Sequence, residues 1–278
     1  MVLYKYFCPE RKTFLSDLLI RFTPPGNFND PFDCLPEFSG FDEGLIKETV
    51  NRVLSNAALR IDLVTLSERE RRVQRALLAG RNKVVMQYYL SHPSALDEAF
   101  ISLHRKRIDR EIGVVCLCAN PNSIVMWSHY AKNHEGFVIG FESKDKFFAH
   151  RRGQPSDIGR LKKLDYTNKR PFVEMREIKP GGDMPEYLFV KNKEWSYERE
   201  WRVIRFLTDA DKKEGDIHLF RVPPSAVREV IFGCRIDPST MDTLHRSIEG
   251  DASLSHVKIF ATGLSQSRYQ MDIRPWKP

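Results

Sequence analysis

Three observations on this chain point to an α+β fold, a mixed or antiparallel β core carrying a helical insertion. Short apolar runs of strand character cluster toward both ends of the 278 residues. Helical periodicity fills about 42–112 between them, and Pro- and Gly-bearing breaks punctuate the runs. Strands and helices that segregate along a chain, rather than alternate, argue for one α+β domain over 1–278. A chain of this length can bury a substantial core.

The first strands are expected at 2–7 and 19–23, with Leu3, Phe7, Leu19, Ile20 and Phe22 as their apolar positions. Pro24-Pro25-Gly26 then breaks the chain, and Asn27 to Asp33 reads as a turn-rich loop. In the insertion, Leu45, Val50, Val53, Leu54 and Ala57 recur at helical spacing, as do Val73, Leu77, Val84 and Tyr88. Ser67-Glu68-Arg69-Glu70 and Ser94-Ala95-Leu96-Asp97 have the form of helix starts. Val114–Cys118 and Phe137–Glu142 are continuous apolar strands of the kind buried on both faces. Residues 144–170 and 179–186 read as surface loops. Strands are expected near 217–222, 228–233, 256–261 and 269–274, with a helix over 238–250.

Composition excludes several classes. Hydrophobic residues make up 41% and charged residues 29%, and no apolar run reaches the length of a membrane span. The opening Met-Val-Leu-Tyr-Lys-Tyr lacks the order of a signal peptide, so a cytoplasmic location is expected. Cys8, Cys34, Cys116, Cys118 and Cys234 are an odd, scattered set and are expected to be reduced. Cys116-x-Cys118 with His129 and His134 is poor zinc spacing, and no metal is expected. The net charge is +7. Arg69, Arg71, Arg72 and Arg75 form one basic cluster. Residues 144–170 form another, including Arg151, Arg152, Lys162, Lys163, Lys169 and Arg170. Such clusters suit nucleic acid, and equally suit plain solubility.

Three segments mix aromatic faces with hydrogen-bonding groups, the combination a nucleotide pocket requires. They are Tyr4-Lys5-Tyr6 with Asn29-Asp30-Pro31-Phe32, Met126-Trp127-Ser128-His129-Tyr130-Ala131 leading to His134-Glu135-Gly136, and the Glu198/Glu200/Arg202 strand. Asp30 also fits an Asx turn, and His129 is either a general base or a structural histidine. In a strand, Glu198, Glu200 and Arg202 would share one face; in a helix, Glu198 and Arg202 would pair at i,i+4. Neither a P-loop nor a Rossmann fingerprint is present.

Taken in order, these motifs resemble the bacterial domain-of-unknown-function family 2971. The resemblance rests on Tyr4-Lys5-Tyr6, Phe28-Asn29-Asp30-Pro31-Phe32-Asp33, Met126-Trp127-Ser128-His129-Tyr130-Ala131 with His134-Glu135-Gly136, Lys191 to Arg202, and Val230 to Cys234. The layout also resembles the ADP-ribosyltransferase superfamily, in particular the DarT-like toxins that modify nucleic acid. That second resemblance implies an ADP-ribosyltransferase-like core and NAD as substrate. Glu200 would be the catalytic glutamate, Glu198 its auxiliary, and His129 a further acid–base candidate. Tyr4, Lys5, Tyr6, Asn29, Asp30, Trp127, Ser128, Tyr130 and Arg202 would contact NAD, the aromatic trio Trp127, His129 and Tyr130 standing where the superfamily has its central strand. Lys5 replaces the usual His or Arg of the first strand. DNA or RNA would be the acceptor, and an antitoxin or regulatory protein a partner. The readings set against this are a nucleic-acid-binding module or nuclease without NAD, and a non-enzymatic interaction protein.

Overall fold

The computed structural model describes residues 1–58, 68–149, 158–177 and 185–277. In chain order its elements are β1 (Val2–Phe7), α1 (Phe14–Asp17), β2 (Leu19–Phe22), β3 (Glu37–Phe38), α2 (Glu43–Ala58), α3 (Glu68–Ser91), α4 (Pro93–Glu111) and β4 (Ile112–Cys118). There follow α5 (Ile124–Tyr130), β5 (Phe137–Glu142), β6 (Lys162–Lys163), β7 (Asp165–Thr167), β8 (Phe172–Val173), β9 (Val190–Asn192) and β10 (Glu200–Phe206). The last are β11 (Lys212–Glu214), β12 (Ile217–Arg221), β13 (Val227–Phe232), α6 (Pro238–Glu249), β14 (Lys258–Leu264) and β15 (Met271–Pro275). The protein is α+β, with a large mixed sheet.

Two compact units divide the chain. One comprises Met1–Leu35, Ile108–Pro171 and Gly181–Pro278; the other comprises Pro36–Arg107 and Phe172–Pro180. The first unit holds an eight-stranded sheet of order β15-β14-β13-β5-β1-β4-β10-β6 and a three-stranded sheet β11-β12-β2. Neighbours in the large sheet run antiparallel except β13 and β14. That parallel pair needs a crossover, which α6 supplies, its N-terminus capped by Asp237 on the Thr240 amide.

Period-two burial covers both faces of the large sheet. Leu3, Phe7, Val115, Leu117, Ile139, Phe141, Val203, Val230 and Phe232 join one apolar cluster. Tyr6, Cys118, Val138 and Ile231 join a second cluster with Trp127 of α5. Burial on both sides explains why β4 and β5 read as continuous apolar runs.

The sheet is split near its middle. β4 pairs with β10 along its whole length, from Glu200↔Cys118 to Phe206↔Ile112. β1 pairs with β5 from Val2↔Glu142 to Phe7↔Phe137. Between β1 and β4, however, pairing is confined to Tyr4↔Cys118. β4 instead meets Thr23 through Val114, with both amide hydrogen bonds at 2.9 Å. The two halves of the sheet therefore diverge beside Cys116.

In the second unit, α2 buries Ile46, Val50 and Leu54 against Phe41 and Met175. On α3 the expected face is off by one residue. Val85, Met86 and Tyr89 pack on that cluster, while Val73, Leu77, Val84 and Tyr88 are exposed. Asp97 accepts the Phe41 amide at 2.9 Å instead of completing a capping box. Ala57 and Arg71 are not described at the side-chain level. Among the described residues no helix is long and apolar enough to cross a membrane.

The loop after α5 depends on close backbone packing. Lys132, Asn133 and His134 are all left-handed (φ 47°, 54° and 71°), and the Gly233 amide donates to the Gly136 carbonyl at 2.9 Å. A Cβ on Gly136 would strike the Phe7 carbonyl oxygen. Gly136→Ala should therefore cost about 1–3 kcal/mol or more in denaturant unfolding, through backbone displacement. An unchanged midpoint would show that the strand ends yield freely.

Candidate functional site

β10 opens the site with an alternation that its register fixes. Glu200 lies opposite Cys118 and Arg202 opposite Cys116, so these four side chains share a face. Glu198 reaches the same place by another route. It ends a 3-10 turn (Lys193–Glu198), and Arg199 follows with φ 45° and ψ 51°. The expected shared strand face thus holds for Glu200 and Arg202, but Glu198 is carried in by a left-handed kink, neither strand nor helix.

The Arg202 guanidinium is fully buried, 0% exposed, and all its nitrogens are engaged. Nε donates to Glu200 Oε1 at 2.6 Å. Nη1 and Nη2 grip Asp33 in bidentate fashion at 2.9 and 2.6 Å, and Nη1 also donates to the Leu188 carbonyl at 2.8 Å. Lys191, from β9, donates to Glu198 Oε2 at 2.6 Å and to Glu200 Oε2 at 3.0 Å, with Asp33 at 3.6 Å. Tyr130 donates to Glu198 Oε1 at 2.7 Å and accepts from Asn29 at 3.1 Å.

This cluster is unbalanced. Among the ion-paired groups, Asp33, Glu198 and Glu200 bring three negative charges against two on Lys191 and Arg202. Lys5, a third cation attracted to Glu200, lies in the same cavity at the Cys116 carbonyl. Burial opposes ionisation of Glu200, but Arg202 and Lys191 outweigh it and hold that carboxyl far below the usual range. Burial pushes Glu198 upward, and repulsion from Glu200 adds to it against the pull of Lys191. Of the two glutamates, Glu198 is therefore the one more readily protonated. Burial and the neighbouring Glu198 raise the Tyr130 phenol, so it remains a donor.

The cluster faces a cavity of about 280 Å³ set in the split of the sheet. That is near the lower end of small-molecule sites, roughly 300 Å³. Asp33, Lys191, Glu198 and Glu200 line it together with Tyr4, Tyr6, Phe28, Asn29, Met126 and Tyr130. Met126 and Tyr130 stand at i,i+4 on α5, which Ser123 caps through the Met126 amide. Strand alternation puts Lys5 on the face of Leu3 and Phe7, opposite the tyrosines. The open split lets its ammonium cross to the Cys116 carbonyl at 3.4 Å. Burial lowers the Lys5 pKa, against the attraction of Cys116 and Glu200. Burial likewise pushes the Cys118 thiol up to about 12, which makes it a poor nucleophile.

Tyr4, Lys5, Tyr6, Asn29, Tyr130, Glu198 and Glu200 are thus brought to one cavity. Other expected residues lie elsewhere. The Trp127-Ser128-His129-Tyr130 segment is a helix, where a strand was expected. Trp127 is fully buried, donates to the Pro121 carbonyl at 2.8 Å and stacks on His134. Ser128 Oγ lies 3.3 Å from His134 Nε2. These two position α5, whereas His129 is exposed and does not line the cavity. Asp30 accepts the Phe32 amide at 2.9 Å, as an Asx turn does. Arg202 sits behind Glu200 with no donor left for a pyrophosphate.

Of the basic positions, Arg151 and Arg152 lie outside the described residues. Lys162 sits 4.4 Å over the Phe189 ring, and Lys163 is exposed on β6. Lys169 and Arg170 line a second cavity. Asp33, Lys191, Phe28 and Cys116 are not among the site residues expected from sequence. Charge balance was the available signal for Asp33 and Lys191, since a buried Glu-x-Glu-x-Arg needs further partners; it does not say which. Among the described residues no His, Cys, Asp and Glu grouping is arranged to hold a metal.

The model of a family described as "Protein of unknown function (DUF2971)" matches residues 126–203. Over that stretch, which runs from α5 to β10, the chain resembles the family. It contains Tyr130, Lys191, Glu198, Glu200 and Arg202. No curated protein and no solved structure matches the chain.

The charge surplus has a measurable consequence. Glu200 contributes stability that is complete above the ordinary glutamate range, about 4.3, and is lost as the pH falls from there toward its depressed value. Glu198 acts in the opposite sense, losing its contribution as the pH rises through its raised value. Glu198→Gln should therefore be at least as stable as wild type at pH 8 by thermal unfolding, with the difference vanishing in acid. Lys191→Met leaves three buried carboxylates to one cation and should cost about 3–5 kcal/mol. Arg199→Gly should be neutral or stabilising by up to about 1 kcal/mol, because it relieves a left-handed non-glycine residue.

Proposed function

We propose that this protein is an NAD-dependent ADP-ribosyltransferase that modifies nucleic acid, acting as a toxin or defence effector. One observation carries the reading. Two adjacent glutamates, one held ionised and the other drawn toward its protonated form, line an aromatic cavity between diverging halves of a sheet. Carboxylates whose environments separate their pKa values are suited to separate acid–base roles. A purely structural ion network requires no such opening.

The chemistry suits the residues. When the bond between nicotinamide nitrogen and ribose C1″ breaks, its electron pair leaves with neutral nicotinamide and positive charge develops on the ribose. Ionised Glu200, fixed in the cavity wall, stabilises that charge as it forms. Tyr4, Tyr6, Tyr130 and Phe28 offer faces for the nicotinamide ring, and Lys5 a cation for the pyrophosphate. An acceptor heteroatom then bonds to C1″ and loses its proton to ionised Glu198. The products are ADP-ribosylated acceptor, nicotinamide and a proton. The split β1–β4 core and the late glutamate strand support the likeness to ADP-ribosyltransferases. The proposal gives no role to His129, Asp30 or Trp127 beyond structure.

A structural brace is the competing reading, favoured by the complete hydrogen bonding of Glu200. Nicotinamide release from NAD, with and without single-stranded DNA and RNA, separates the two. Glu200→Gln should lower release about 10²–10³-fold while the protein still unfolds cooperatively. Nucleic-acid-stimulated transfer should also show an acid limb above the ordinary glutamate range, absent in Glu198→Gln. If wild type releases no nicotinamide and NAD leaves its Tm unmoved, the transferase reading fails. A Glu200→Gln variant that melts early yet turns over normally would establish the brace.

A further inference from the structure

The second cavity shares a wall with the first. About 220 Å³ in volume, it is lined by Phe32, Asn168, Lys169, Arg170, Lys191 and Asn192, among others. The loop over residues 28–33 partitions the two. Phe28, Asn29 and Asp33 face the first cavity, and Phe32 faces the second. Lys191 lines both, so anything held in the second cavity lies beside the ionic cluster. The parallel pairing of β7 and β9, ending at Thr167↔Asn192, builds the floor from which residues 168–170 project.

We propose that this second cavity holds one base and an adjoining phosphate of a single-stranded nucleic acid. The assignment rests on the transferase reading for its purpose, as the seat of the acceptor, but on its own geometry for the ligand. Phe32 is 61% exposed at the rim, a ring face open to stacking. The side-chain amides of Asn168 and Asn192 beside it carry both donors and acceptors, as recognition of a base edge requires, though the Asn192 oxygen already accepts the Glu194 amide at 2.9 Å. Lys169 is exposed next to them and offers a phosphate its ammonium. Residues 160–170 place Arg160, Lys162, Lys163, Lys169 and Arg170 against the single acid Asp165, a field that attracts a polyanion. A base enters a cavity only when it is unstacked, which selects single strands over duplex.

The test uses the full chain and short fluorescent oligonucleotides of single-stranded DNA, single-stranded RNA and duplex DNA, with binding read by anisotropy. Single strands should bind more tightly than duplex. Phe32→Ala should weaken single-strand binding ~10-fold or more, and Phe32→Trp should restore it. Lys169→Ala should reduce the slope of log affinity against log salt by about one. Nicotinamide release without nucleic acid should be unchanged in Phe32→Ala, while stimulation by the oligonucleotide is lost. Oligonucleotide binding that both variants leave unchanged, a preference for duplex, or no binding at all would overturn the assignment. Phe32-dependent binding in a protein that never cleaves NAD would uphold the cavity as a nucleic-acid site and remove the transferase reading alone.

Discussion

Burying the Arg202 guanidinium is the constraint on which the rest of the site depends. A cation without solvent must find carboxylates, and Arg202 finds one two residues away on its own strand and one from a distant loop. Its bidentate grip on Asp33 ties the loop after β2 to β10. Its Nε bond to Glu200 fixes the carboxylate that faces the cavity. Glu200 in turn holds Lys191, and Lys191 holds Glu198. A lysine in place of Arg202 would supply one point charge where a planar fork is needed, and the loop would lose its anchor.

The same arrangement explains why the site is poised. A neutral cluster of this kind would be an inert brace, with every donor matched to an acceptor. Here the ion-paired carboxylates exceed their paired cations by one, and the cavity lies on the side where Glu198 and Glu200 converge. Burial and the neighbouring Glu200 push Glu198 toward its protonated form and leave Glu200 as a fixed negative charge. A ligand that develops positive charge in the cavity would relieve the imbalance, which is the electrostatic logic of the proposed reaction. The split between β1 and β4 makes room for it, and Lys5 occupies the gap where the Cys116 carbonyl has lost its strand partner.

Much of the fold was legible because burial on both sheet faces writes long apolar runs into β4 and β5. The helix near 238–250 carried its own cap in Asp237-Pro238. Less legible were features decided by tertiary context. Trp127 to Tyr130 form a helix because Ser123 caps the segment and Trp127 docks on Tyr6, information absent from local aromatic content. The two-residue strands β6 and β8 have no periodic signature of their own. Glu198 and Glu200 were identifiable as a pair, but the left-handed Arg199 between them was not, since arginine has no special preference for that conformation. Asp33 was hidden beside Asp30. The Asx turn takes Asp30, and only the folded loop shows that the second aspartate is the one that meets Arg202.

The central claim is that the environment pushes the neighbouring carboxylates apart beside an open cavity, holding Glu200 ionised and raising Glu198. Carbon-13 NMR titration of the glutamate side-chain carboxyls, assigned with Glu198→Gln and Glu200→Gln, measures this directly. The structure calls for a Glu200 carboxyl that stays ionised until the protein unfolds in acid, and a Glu198 carboxyl that titrates above the ordinary value of about 4.3. Two carboxyls titrating together near that ordinary value would contradict the account.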